Sequence, residues 1–313
     1  MMLTLPQTKL SVHPLCLGTN VFGWGADESQ SFEVLDAYVA HGGNFLDTAD
    51  VYSQWKEGNS GGESETIIGR WMKARGNRDK IILATKVAKL PTRRGLAPGN
   101  IKAALVDSLN RLQTDYVDLY YSHEDDLSVP TIDTLSTYTQ LIKDGKIRYI
   151  AASQHKADRF EQALLISKEN NLASYIALQD HYNLMVRDPF ESEQALVVSK
   201  YNLSALPFYG LAKGFLTGKY RVGKKVSSVR SSSASEYLTQ AGLATLAVLD
   251  DLALECNTSV AAIALAWLRS HSAVSTPIAS ARTVAQLDEI IQIITLSQQQ
   301  IDRLNNITQN NSK

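Results

Sequence analysis

A tyrosine, a lysine, an aspartate and a histidine form a proton-transfer set when a fold brings them together. This chain carries all four beside apolar runs. Asp47 and Tyr52 stand in NFLDTADVY, Lys86 in IILATKV and His123 in VDLYYSHED. An unperturbed tyrosine has a pKa of about 10 and is a poor acid at pH 7. A lysine ammonium about 4 Å away is worth roughly 4 kcal/mol to the phenolate at an effective dielectric near 20. At about 1.36 kcal/mol per unit, that lowers the phenol by roughly three units. The expectation is a Tyr52 depressed by Lys86 and competent as a general acid near neutral pH. Singly, each residue has an ordinary explanation: a structural ion pair, a loop aromatic, a snorkelling lysine and a hydrogen-bonded core histidine. Their joint placement at the ends of three successive apolar runs is what points to chemistry.

The elements that must position them are short apolar runs alternating with stretches of helical period. LCLGTN, NFLDTAD, IILATKV, VDLYYSH, YIAAS, IALQ, LSALPF and STPIAS read as eight strands. SQSFEVLDAYVAHGG is the first helical stretch, with Ser29 or Ser31 as its cap and Gly42-Gly43 as its stop. Strands buried on both faces and separated by helices imply a parallel sheet. Eight such units predict an α/β fold, a (β/α)8 TIM barrel, with catalytic groups at the C-terminal ends of several strands. An open doubly wound sheet is the competitor, but no GxGxxG opens a helix after a strand. The residues before LCLGTN are expected to form a hairpin closing the barrel floor. RVGKKVSSVRSSSASEYL, Ser-rich and basic, reads as a mobile loop. Residues 1–313 are expected to form a single domain.

Composition narrows the function classes. The chain has 313 residues, 44% hydrophobic and 20% charged, enough for a large core. Thirty-one Lys and Arg against 32 Asp and Glu leave a formal charge of −1, which gives no global footprint for nucleic acid. Cys16 and Cys256 are too few for a disulfide framework and lack metal-ligand spacing. The opening MMLTLPQTKLSVHPL has the pattern of neither a signal peptide nor a membrane span. A soluble, cytoplasmic protein without a metal is the expectation.

GGNFLDTADVY, ATK and DLYYSHED, followed by LQDHYNLMVRD, LAKGFLTGKY and PIASARTVAQLDE, resemble the aldo-keto reductases from Gly18-Thr19 to Glu289. The resemblance implies that Tyr52 is the proton donor, that Lys86 and Asp47 tune it, and that His123 orients a substrate carbonyl. It further implies NADPH as cofactor, with NADH possible, bound across the barrel mouth. Gly18, Thr19, Asn20 and Asp47 join the cofactor set on this ground. Ser153, Gln154 and Gln179 would hold the carboxamide, and Phe208 would stack on the nicotinamide. Tyr209, Gly210, Leu211, Ala212, Lys213 and Gly214, with Lys219, match the segment along the pyrophosphate, where small residues admit phosphate. Ser280 and Arg282 precede the last helix of that pattern. Arg282 would pair with a 2′-phosphate, and Gln286 and Glu289 would meet the adenosine end. Three departures bear on cofactor affinity: Gln154 where Asn is common, Ser280 where Gly is common, and Ile290 where Asn is common.

Trp24, Trp55, Tyr121 and Tyr209 are read as an aromatic wall of the substrate pocket. The reading is an NADPH-dependent reductase of aldehydes and some ketones, acting on small carbonyl or alcohol substrates. Two alternatives share its residues. One is a dehydrogenase oxidising a sugar or polyol; the other is a nicotinamide-binding regulatory subunit, like the potassium-channel beta subunits of similar fold. Natural substrate and oligomeric state are not specified by these residues.

Overall fold

Strands that are apolar on both faces need cover on both, and a ring of eight with helices outside supplies it. The computed structural model describes residues 2–226 and 231–309. β1 (Leu3–Thr4) and β2 (Ser11–Val12) pair as an antiparallel hairpin. The parallel strands follow as β3 (Cys16–Gly18), β4 (Phe45–Asp47), β5 (Ile82–Val87), β6 (Val117–Ser122), β7 (Ile147–Ser153), β8 (Tyr175–Gln179), β9 (Ser204–Ala205) and β10 (Ile278–Ala279). Their order is β10-β3-β4-β5-β6-β7-β8-β9. Backbone bonds from Ala205 N to Ala273 O (2.9 Å), Ser275 N to Ala205 O (3.0 Å) and Ile278 N to Pro207 O (2.9 Å) join the two ends. The fold is the (β/α)8 barrel.

Alternation along each strand sorts the apolar residues into two cores. Cys16, Phe45, Ala84, Tyr121, Ala151, Ala177, Leu206 and Ile278, one from each strand or its continuation, share a cluster inside the ring. Leu5, Leu10 and Val12 of the hairpin belong to the same cluster, so the hairpin plugs the barrel floor as expected. A larger cluster lies between ring and helices, where Leu83, Tyr120, Ile150 and Leu178 point outward. Since side chains alternate, the residue two positions beyond each inward one also faces inward, one layer higher. Those eight residues are Gly18, Asp47, Lys86, His123, Ser153, Gln179, Phe208 and Ser280.

The outer layer comprises α1 (Glu28–Ala40), α2 (Glu63–Arg75), α3 (Pro98–Leu112), α4 (Thr131–Lys143), α5 (Ala157–Glu169), α6 (Ala195–Lys200), α7 (Ser231–Ser235), α8 (Gln240–Glu255), α9 (Val260–Ser270), α10 (Val284–Ile290) and α11 (Gln298–Gln309). The cap of α1 is Asp27, not Ser29 or Ser31. Its carboxylate accepts from Gln30 N, and the Gln30 side chain reaches back to complete a capping box. Ser31 is instead buried, donating to Asp27 O. Two long helices escape the sequence pattern. In α9, VAAIALAWLRS is apolar nearly all round and buried from Ala261 to Leu268, so no polar face marks a period. α11 lies beyond the eighth unit and packs on α8. Of the Ser-rich stretch read as a loop, residues 227–230 lie outside the described residues, and Ser231–Ser235 forms α7. No single helix among the described residues is long and apolar enough to cross a membrane.

α2 and α3 approach closely at Gly69, where an added Cβ would lie 2.2 Å from Arg111 O and 2.7 Å from the Leu112 carbonyl carbon. Alanine would gain up to about 1 kcal/mol of helix propensity. Overpacking against fixed backbone costs about 1–3 kcal/mol or more, and at this distance it dominates. We expect Gly69→Ala to be net destabilising by at least about 1 kcal/mol in urea unfolding; an unchanged or raised midpoint would show that the helices can separate there.

Candidate active site

The upper inward layer forms the floor of a cavity of about 810 Å³ at the C-terminal ends of the strands. Gly18, Asp47, His123, Ser153, Gln179, Phe208 and Ser280 line it directly. Lys86 is wholly buried beneath, and its ammonium carries the centre of the site. Nζ donates to Asp47 Oδ2 at 2.6 Å, Thr48 O at 2.7 Å and the Tyr52 hydroxyl at 2.8 Å. That hydroxyl in turn donates to Asp47 Oδ2 at 3.0 Å. Gln179 Nε2 donates to the other carboxylate oxygen at 2.9 Å. Tyr52 comes from the loop after β4. Its ring is partly exposed to the mouth, while its hydroxyl lies deep between Asp47 and Lys86. His123 sets its ring edge-on to Tyr52, with centroids 6.0 Å apart and planes at 72°.

The direction of the Tyr52 shift corrects the expectation from sequence. Burial, then the Asp47 charge and hydrogen bond, push the phenol well above its ordinary value. Burial and the carboxylate at 3.0 Å outweigh the attraction of the Lys86 ammonium at 2.8 Å. Burial lowers Lys86, opposed by Asp47. Burial, followed by the Lys86 and Lys89 charges, holds His123 well below its usual range. At neutral pH the site is a protonated phenol beside a neutral imidazole.

Most other residues singled out in the sequence meet here. Asn20, Trp55, Gln154, Tyr209, Gly210, Leu211, Lys213, Gly214, Lys219, Arg282, Gln286 and Glu289 all line the cavity. Gln154 Nε2 donates to His123 O at 3.2 Å. Ser280 Oγ donates to Asn20 at 2.8 Å across the seam between β10 and β3. A Cβ on Gly18 would lie 2.8 Å from Ile278 and 3.0 Å from Ser280 Oγ, so only glycine keeps that seam closed. Gly214 holds φ at +100°, which turns the chain after β9 along the cavity edge.

Five of the residues singled out do not line the cavity surface. Tyr121 is one layer too low, inside the barrel core with no exposure, and is not a pocket wall. Trp24 stands behind Trp55, edge-on at 5.6 Å, and props it. Thr19 is buried with both its amide and hydroxyl on Asp47 O, buttressing β4 rather than facing the cavity. Ala212 is wholly buried. Lys86 lies under the cavity rather than on its surface. The amides around the start of α10 are already partnered. Gln286 N is capped by Thr283, and Arg282 N bonds Gln286 Oε1. Sequence reasoning missed Gln54, Lys89, Arg94 and Glu124, which line the cavity from strand-following loops. Their one signal is that position, shared by all residues of such loops.

The residues fit a nicotinamide cofactor on one observation in particular: Ser153 Oγ is buried in the cavity wall with no partner among the described residues. A profile described as the aldo/keto reductase family matches residues 14–309. The chain belongs to the aldo/keto reductase family. This aldo/keto reductase, an oxidoreductase of a family that generally uses nicotinamide cofactors, is similar to Protein tas of Escherichia coli K12, at 33% identity over 93% of this chain and 92% of that one. It is 32% identical to the putative voltage-gated potassium channel subunit beta of Schizosaccharomyces pombe, over 93% of this chain and 87% of that one. Norsolorinic acid reductase A of Aspergillus parasiticus is 29% identical, over 93% and 76%.

Behind the site, Asp50 is buried and neither of its carboxyl oxygens has a partner among the described residues. Burial, then the nearby Glu65 charge, raise it from 3.8 to about 8. Between those values the folded protein binds more protons than the unfolded chain, so this group's stabilisation is lost as pH rises from about 4 to about 8. Asp50→Asn removes that dependence. Melting curves across the range should show the variant losing less Tm with rising pH than the parent, whereas parallel curves would mean Asp50 is already ionised.

Proposed function

We propose that this aldo/keto reductase is an NADPH-dependent reductase of aldehydes and some ketones, with Tyr52 as proton donor. The observation that carries the reading is the Tyr52 hydroxyl held between Lys86 Nζ at 2.8 Å and Asp47 Oδ2 at 3.0 Å, at the floor of the cavity. When bound, the nicotinamide supplies hydride to the carbonyl carbon. Ser153, Gln154 and Gln179 would hold its carboxamide, and Phe208 its ring. The chain after β9, Tyr209 to Gly214 with Lys219, would follow its phosphates. Arg282 has no acidic partner among the described residues and would take a 2′-phosphate, which favours NADPH over NADH. Gln286 and Glu289 would meet the adenosine end.

Tyr52 works as an acid without a depressed pKa. The oxygen of a carbonyl receiving hydride becomes an alkoxide, a far stronger base than a phenolate, so proton transfer runs downhill even from a buried phenol. The Tyr52 hydroxyl turns from Asp47 to the substrate oxygen and gives up its proton as that charge develops. Lys86 then stabilises the phenolate it already touches, and Asp47 holds Lys86 in place. Neutral His123 donates an N–H to the same substrate oxygen and adds no competing charge.

Run backwards, the same groups oxidise an alcohol, so a sugar or polyol dehydrogenase is a matter of cofactor ratio and pocket. The potassium-channel name of one relative keeps a sensing role in view; turnover separates the two. We read the chain as one barrel unit working on small molecules in the cytoplasm, where Cys16 and Cys256 remain free thiols. In a spectrophotometric assay with NADPH and an aldehyde panel, Tyr52→Phe should lose about 10²–10⁴-fold in kcat with little change in NADPH affinity. Lys86→Met should do the same. Full kcat in Tyr52→Phe would end this mechanism, and tight NADPH binding without turnover in either direction would favour the sensor.

A further inference from the structure

The cations at the mouth fall into two groups on opposite sides of the ring. Lys213 and Lys219 follow β9 and Arg282 follows β10, on the side given above to cofactor phosphates. Lys89 and Arg94 follow β5, four strands from β9 in an eight-stranded ring. A cofactor lying along β9 and β10 gives them no phosphate to bind.

We propose that Lys89 and Arg94 form an anion subsite, and that the preferred substrates are carbonyl compounds carrying a carboxylate remote from the carbonyl. This rests on the reductase reading and names its substrate class. Arg93 and Arg94 are consecutive but treated differently. Arg93 pairs with Asp107 on α3 at 2.8 Å. Arg94 is exposed on the cavity rim with no carboxylate in ion-pair range among the described residues. Its loop is anchored on both sides of it. Arg93 N bonds Leu90 O at 2.8 Å, Gly95 N bonds Ala88 O at 3.0 Å, and Leu96 N bonds the Asp126 carboxylate at 2.8 Å. The backbone that carries Arg94 is thus fixed, and its guanidinium can offer a carboxylate two parallel N–H donors.

Lys89 supplies the second charge, with two carboxylates facing it. Glu124 stands at 3.6 Å, longer than the tight pairs elsewhere in the barrel. Asp180 is engaged with His181 N at 2.7 Å. The long Glu124 contact leaves Lys89 able to share a substrate carboxylate with Arg94, which has no carboxylate of its own in range. Next in the ring, the loop after β4 presents Trp55, 46% exposed and 6.1 Å from the Tyr52 ring between centroids. The substrate that fits has its carbonyl at Tyr52 and His123, an apolar body against Trp55 and a carboxylate at Arg94 and Lys89.

The test compares 4-carboxybenzaldehyde with methyl 4-formylbenzoate, the same aldehyde without the charge. With NADPH, kcat/KM should favour the acid about tenfold or more at low salt, and the preference should shrink as salt rises. Arg94→Gln and Lys89→Gln should each reduce that ratio several-fold through KM. Turnover of both aldehydes without preference for the acid, or a preference unmoved by both substitutions, overturns the subsite and leaves the reductase standing. If neither is turned over, the reductase reading falls. Tryptophan fluorescence titration with the two compounds then still reads the subsite, and equal affinity overturns it.

Discussion

The Lys86–Asp47 ion pair is the constraint on which the site depends. Both side chains are essentially without solvent exposure, and a charge taken that far from water is tolerated only when paired and hydrogen-bonded. Lys86 uses three acceptors and Asp47 three donors, and most are supplied by groups with a second purpose. The Tyr52 hydroxyl closes the set and is thereby fixed. Gln179 satisfies the far oxygen of Asp47, which ties β8 to β4 across the barrel. Removing either charge strands the other, and removing Tyr52 or Gln179 leaves the pair short of a hydrogen bond. The placement of the Tyr52 hydroxyl therefore follows from the requirement to satisfy Lys86.

The same pair explains why Coulomb arithmetic on Tyr52 alone gave the wrong sign. A two-body estimate at one dielectric counts the attraction of an ammonium for a phenolate. It omits the cost of burying that phenolate and the carboxylate 3.0 Å from the same hydroxyl. Both terms oppose ionisation, and together they outweigh Lys86. The resulting phenol keeps its proton until a stronger base appears, which suits an acid serving an alkoxide. In the proposed mechanism Lys86 acts on the product of proton transfer rather than on its starting state.

Much of this was legible because strand residues obey a period of two. Asp47, Lys86, His123, Ser153 and Gln179 each stand two places beyond an inward core residue at the C-terminal end of a strand, which forces them into one layer. Tyr121 obeys the same parity, but two residues before His123 it lies a layer lower; facing inward and facing the cavity are different conditions. The helices were legible where one face is polar. α9 was not, since a helix buried all round has no face to show. Asp27 was overlooked as a cap because two serines stood nearby, and only the position of the first helical turn distinguishes them.

Loops carry no such period, and there the sequence is a poor guide. Trp24 and Trp55 lie on neighbouring loops with the same side-chain chemistry, yet one lines the cavity and the other supports it. Arg93 and Arg94 differ by one position, and the difference between a structural pair and an open cation is made by backbone bonds that no local pattern announces. This division follows the barrel's construction. The proposed proton transfer needs atoms fixed within tenths of an ångström and draws on strand residues and on Tyr52, which a buried charge immobilises. The proposed substrate contacts tolerate looser placement and lie on the connections, where chains of one fold differ most freely. The buried polar set of this aldo/keto reductase is accordingly readable from spacing, while the shape and charge of its cavity mouth emerge only when its loops are placed.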